Sequence, residues 1–226
     1  MRVVSILILG VTMSACSKTI TWKEEVLLHD GTTLIVERSQ TRSGASEIGQ
    51  GPPITAHSIT FTPAGSKEAI EWKMNESDIQ KGQVDLKLLA LGIVQGTPYI
   101  ATMPLGCLVY AALGKPNPPY LFFKYTNAQW HKITLSEFPA EIERPNVVTN
   151  LYRDREFLDA AKMTGFVPAA SVKEINSFNV DKELATILKN PLVPRANSGS
   201  LVDCVYFSGS LKAPTPITPA SGHLPN

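Results

Sequence analysis

A mainly β fold is predicted here: antiparallel sheets built from hairpins, sandwich or barrel-like, with short helices in the C-terminal half. Three features of the sequence predict it. Asp30-Gly31 separates two apolar stretches, residues 26–29 and 32–36, which is the strongest short hairpin signal. Two further pairs of strand-like runs bracket turn-forming residues. Helical spacing and capping signals first gather after Pro145.

Taken in order, the β texture begins at Trp22, and a polar stretch over residues 41–53 reads as an exposed loop. Residues 58–62 and 69–72 enclose Pro63-Ala64-Gly65-Ser66, a second hairpin. Residues 86–94, 99–103 and 107–113 are short apolar runs punctuated by glycine and proline and read as buried strands, although periodicity leaves a helix open at 86–91. Residues 120–125 and 130–135 form a third hairpin about Thr126-Asn127-Ala128-Gln129, and the apolar character of both faces of 120–125 marks an interior strand. A helix is expected over 153–163 with Gly165 as its C-cap, another from a capping box at Ser171 and Glu174, and a short one over 181–189. Residues 202–207 read as a last strand. Trp22, Trp72 and Trp130 recur at uneven intervals and mark strand edges; a fragmentary propeller is the alternative.

The first sixteen residues have the layout of a secretion signal and stand outside the fold. Arg2 supplies a positive start, residues 3–11 are almost wholly apolar, and Met13-Ser14-Ala15-Cys16 places small residues just before a cysteine. This segment resembles the lipobox of bacterial lipoproteins, with Met13 where that family usually has Leu. The resemblance covers these residues only, and on it the β domain is that of a bacterial lipoprotein. It implies that residues 1–15 are removed and that Cys16 carries acyl chains (a palmitate-type modification) holding the protein on a membrane. Ser17, where Asp would favour the inner membrane, implies the outer membrane, on its periplasmic face. Residues 16–21 are then anchor and linker, 22–207 the globular domain, and 208–226 a proline-rich extended tail.

Loss of Arg2 with the signal leaves 20 basic against 20 acidic residues, so no polybasic patch reinforces the anchor and nucleic acid is not an expected partner. With Cys16 acylated, Cys107 and Cys204 remain, an even pair in an oxidising compartment, and a disulfide between them is expected. Two separately buried thiols are the alternative.

Catalytic motifs are missing: no Gly-x-Ser-x-Gly, His-Glu-x-x-His, glycine-rich phosphate loop or Cys-x-x-Cys occurs. No catalytic residue, metal site or cofactor is therefore assigned. His29-Asp30 is the most suggestive pair, but Asp30 is already explained by the turn. Glu24-Glu25 and Glu141-x-Glu143 would suit acid–base work only if a cleft gathered them; solvated strand edges explain them more simply. Pro116, Pro118, Pro119 and Tyr120 form a stiff loop that loses little entropy on docking, and they are the candidate partner-binding residues. The expected function is a non-enzymatic, lipid-anchored component that docks an envelope protein. The alternatives are a periplasmic module that binds or hydrolyses an envelope glycan, or one that binds a lipid.

Overall fold

A computed structural model describes residues 17–44, 54–74, 86–104, 107–149, 165–179, 186, 187 and 189–191. Two sheets make up the fold, which is mainly β as the sequence predicts. The first contains β1 (Lys18–Leu27), β2 (Thr33–Arg42), β3 (Ile54–Phe61) and β4 (Ile70–Lys73) as an antiparallel meander. The short strand β9 (Phe166–Val167) joins it at the far edge, parallel to β1, so the order is β4-β3-β2-β1-β9. The second sheet is an antiparallel meander of β5 (Leu86–Val94), β6 (Thr97–Pro104), β7 (Leu121–Thr126) and β8 (Gln129–Ile133). All three predicted hairpins form. Asp30 Oδ1 accepts from the Thr32 amide at 2.9 Å and the Thr32 hydroxyl at 2.7 Å, which locks the first turn, and both bonds hold its carboxyl below the usual range.

The sheets face each other across one apolar core. Trp22, Arg38, Ile59 and Trp72 stand directly opposite one another across β1 to β4, so all four point to the same face. From that face Trp72 meets Phe123 of β7 at 5.5 Å between ring centres, and Val26, Val36 and Phe61 pack with Leu88, Leu91, Ile100 and Leu121. The outer face of the second sheet is covered as well: Tyr99, Ala101 and Phe122 lie under Phe138, Ile142 and Ile187. This double burial explains why β7 is apolar on both sides, and β7 is indeed an interior strand.

Several boundaries differ from the sequence reading. β1 starts at Lys18, so most of the expected linker is already strand. Residues 107–113, expected as a strand, are helical: α1 spans Cys107–Ala112. Gly114, at φ 76°, ends it in a Schellman motif, with its amide on the Ala111 carbonyl and that of Lys115 on the Tyr110 carbonyl. A continuous apolar run carries no period, and local backbone closure decided for helix. α2 spans Ala169–Asn179 and starts before the predicted capping box, leaving Ser171 inside it. The Pro168 carbonyl takes the first helical bond, from Val172 at 3.0 Å, but proline has no side-chain acceptor. Glu25 of β1 supplies one, accepting from the Ala169 amide at 3.0 Å. Gly165 does have positive φ, at 69°. The helices expected over 153–163 and 181–189, the last strand and the tail fall outside the described residues, apart from isolated positions near 187. Regular propeller blades are not what the described strands build.

The β1 side of the first sheet is covered by α2 and the segment 147–149, through Val148, Val172 and Ile175 against Trp22. At the junction of the two covers lies Glu24, fully buried. Its carboxylate accepts from Arg38 Nη1 at 2.7 Å, Trp22 Nε1 at 2.8 Å and the Val148 amide at 3.3 Å. The Arg38 guanidinium also sits over the Trp22 ring, 5.2 Å from its centre. Further along the same face, His57 donates from Nε2 to the Leu86 carbonyl at 2.6 Å, tying β3 to the second sheet. Among the described residues, Arg38 Nε, Gln40 Oε1 and His57 Nδ1 have no hydrogen-bond partner. Burial, aided by the Arg38 charge, pushes the His57 imidazole down to about 4.

Two predictions follow from this buried polar layer. Arg38→Met strands a buried carboxylate and is expected to lower stability by about 3 to 5 kcal/mol in urea unfolding. Adding Glu24→Gln, which removes the stranded charge but keeps only one acceptor oxygen for Trp22 and Val148 together, should restore part of that loss. The second concerns acid. Unfolded His57 takes up a proton near its usual 6.5 whereas folded His57 resists protonation until about 4, so acid favours unfolding. Stability should hold above about pH 6.5, fall between about 6.5 and 4 by up to about 1.4 kcal/mol per pH unit from this residue, and level off in that contribution below about 4. His57→Phe should remove that component of the slope.

Candidate functional site

A cleft of about 680 Å³ opens between the β1–β2 turn, β5, the segment 141–146 and the first turns of α2. This size lies within the range of small-molecule sites. Its floor is aliphatic, from the buried Leu28, Leu91, Ile142 and Val172, with the exposed Leu27 at its edge, and it is also lined by His29, Glu141, Glu143, Arg144 and Lys173, all exposed.

The wall over residues 141–146 is held at several points. Asn146 makes four bonds. Its amide nitrogen Nδ2 donates to the Leu91 carbonyl at 2.8 Å and to the Leu27 carbonyl at 3.0 Å. Its Oδ1 accepts from the Leu91 amide at 3.0 Å, and its own backbone amide reaches the Leu89 carbonyl at 3.1 Å. One side chain thereby satisfies the open edge of β5 and joins it to the end of β1. Asn176 of α2 does the same for the next residues, accepting from Thr149 at its amide and hydroxyl and donating to the Val147 carbonyl at 2.8 Å. Ile142 packs on Gly92, where a β-carbon would come within 2.6 Å of Ile142 Cγ1, so only glycine leaves room for that side chain. From the other side the Ile187 amide bonds the Glu143 carbonyl at 2.7 Å. Lys189 Nζ donates to the Pro139 and Ile142 carbonyls, each at 3.1 Å, and lies over the Phe138 ring. Partial burial lowers the Lys189 pKa, opposed by the charges of Glu143 and Glu141.

The cleft collects some of the residues singled out from the sequence and leaves others elsewhere. His29, Glu141 and Glu143, far apart in the chain, come to one lining. His131 is exposed on β8, paired across the strand with Lys124, and does not line the cleft. His57 is in the core, and His223 lies outside the described residues. Glu24 and Glu25 are structural: one is the buried ion-pair partner, the other the cap of α2. The proline loop is corrected by burial. Pro118, Pro119 and Tyr120 are buried and Pro116 is half-buried, with the Tyr120 ring 5.7 Å from Phe122 in the second core cluster. Pro118, Pro119 and Tyr120 buried in this way present little surface to a partner, and of the four only Pro116 is partly accessible. Cys16 and Cys204 lie outside the described residues; Cys107 opens α1. Sequence reasoning missed Arg144, Asn146, Lys173 and Asn176. Their one local signal is that they are polar residues beside apolar ones next to Pro145 or on a helix, a pattern shared by most surfaces.

Chemically, the lining offers charges of both signs beside an aliphatic floor. Among the described residues no three of the His, Cys, Asp and Glu side chains group as metal ligands, and no helix is long and apolar enough to cross a membrane. No family model, curated protein or solved structure matches the chain. A two-sheet β fold with a ligand-sized cleft at the end of its first hairpin is the class that fold and site define.

Because Asn146 carries the wall, Asn146→Ala is expected to cost about 2 to 3 kcal/mol, by leaving the Leu27 and Leu91 groups without their partners. Amide hydrogen exchange should quicken first at Leu91, before the β2–β3 ladder is affected.

Proposed function

We propose that the mature chain is a lipid-anchored envelope protein, held at the outer membrane through Cys16, that works as a non-enzymatic binding module with the cleft as its ligand site. The cleft is the observation that carries this reading: an apolar floor, charged groups beside it, and a wall pinned by Asn146, Asn176, Lys189 and the Gly92 notch. Such preorganised walls lower the ordering cost of binding. The protein-docking form of the reading drew on the anchor, the short linker, the proline loop and the lack of catalytic motifs; with Tyr120 buried, the cleft is the better surface for a ligand.

Geometry relative to the anchor also supports a ligand outside the bilayer. β1 begins at Lys18, two residues after Cys16, and ends at Leu27 on the cleft. Ten strand residues extend about 33 Å. With the anchor next to one end of β1, the cleft lies at the other, about 33 Å along the strand.

Fractionated envelopes test the anchor. The wild type is expected in the outer-membrane fraction and Cys16→Ala in the soluble or inner-membrane fractions. A Cys16→Ala protein that still fractionates with the outer membrane would overturn the lipid-anchor reading.

A further inference from the structure

We infer that the ligand of the cleft is a short peptide with free termini and an aliphatic side chain; this rests on reading the cleft as a ligand site. Three observations select it. The first is the floor, which is aliphatic, with no Phe, Tyr or Trp among the described residues that line the cleft. A sugar ring would find no aromatic platform for its apolar face, whereas a Leu- or Val-type side chain meets matching surface.

The second is what the amides are doing. Asn146 and Asn176 line the cleft, and their side-chain oxygens and nitrogens are already engaged with backbone groups. A polyhydroxylated ligand is well served by such uncharged amides, and these are committed, which leaves it only the charged side chains. Ser177, also on the lining, spends its hydroxyl on the Glu174 carbonyl at 2.6 Å.

The third is charge. Glu141, Glu143, Arg144 and Lys173 line the cleft and are exposed, and among the described residues none of them has an ion-pair partner within 4.0 Å, although the charge of Lys189 behind the wall acts on Glu143 and Glu141. Lining groups of both signs repel part of any ligand carrying a single sign, but they complement one that carries an ammonium and a carboxylate. The ammonium goes to Glu141 and Glu143, the carboxylate to Arg144 and Lys173, and the side chain to the floor. A fatty acid would fill the floor but set its one carboxylate near two others, and it brings no cation to them.

Calorimetric titration of the full-length protein in detergent tests the assignment with three probes: trileucine, tri-N-acetylglucosamine and dodecanoate. Trileucine is expected to bind. Its N-acetylated, C-amidated form should bind at least about tenfold more weakly, as loss of charge-assisted contacts implies. Glu141→Gln/Glu143→Gln, at exposed positions, should weaken trileucine about tenfold while leaving the unfolding temperature unchanged. Equal affinity for the free and capped peptides, or no binding of trileucine, would overturn the inference. Binding of the sugar or the fatty acid in place of trileucine would do so too, while preserving the ligand-site reading. If all three probes are silent, that reading falls with it.

Discussion

The carboxylate of Glu24 is the constraint on which the surrounding structure depends. It sits on the inner face of the first sheet, at the line where the second sheet stops covering that face and α2 begins. A buried carboxylate is costly unless its acceptor sites are used, and here the donors come from three places: Arg38 of β2, Trp22 of its own strand and the amide of Val148. The last of these fixes a distant stretch of chain against β1. Once Val148 is placed, Thr149 and Val147 meet Asn176, and Asn146 reaches the ends of β1 and β5.

The segment from Asn146 to Thr149 is thus a strap without strand geometry that does the work of one. Its side chains and amides bond the outer edge of β5 at Leu89 and Leu91, and the segment touches both sheets and α2. The cleft exists because the strap crosses there. Upstream of it, residues 141–144 swing out over Gly92, and their charges surround a floor contributed by both sheets and the helix. The same side chains that stabilise the junction therefore shape the site, and rigidity of the wall is a by-product of satisfying buried backbone groups.

Much of the β architecture was legible in the sequence because hairpins are local. Asp30-Gly31, Pro63-Ala64-Gly65-Ser66 and Asn127-Ala128 each specify a turn within a few residues, and the strands beside them follow by alternation. The apolar run after Cys107 was not legible as a helix from periodicity, although Gly114 followed by Pro116 is a helix-stop signal that favours the observed α1. The start of α2 was misplaced for a different reason: its cap is Glu25, 144 residues away in the chain. No local rule can contain such a cap.

For the site, the sequence supplied His29, Glu141 and Glu143 as residue types able to do chemistry, and nothing in it placed them together. By itself the sequence determined the class of fold, the three hairpins and the lipobox resemblance, since these rest on residues adjacent in the chain. Only the tertiary structure decided that Tyr120 is core, that Glu24 and Glu25 are structural, and that a cleft forms where the strap meets β1, β5 and α2. The reason is physical: burial and hydrogen-bond satisfaction are settled between segments far apart in sequence, and a residue's role follows from which of them covers it.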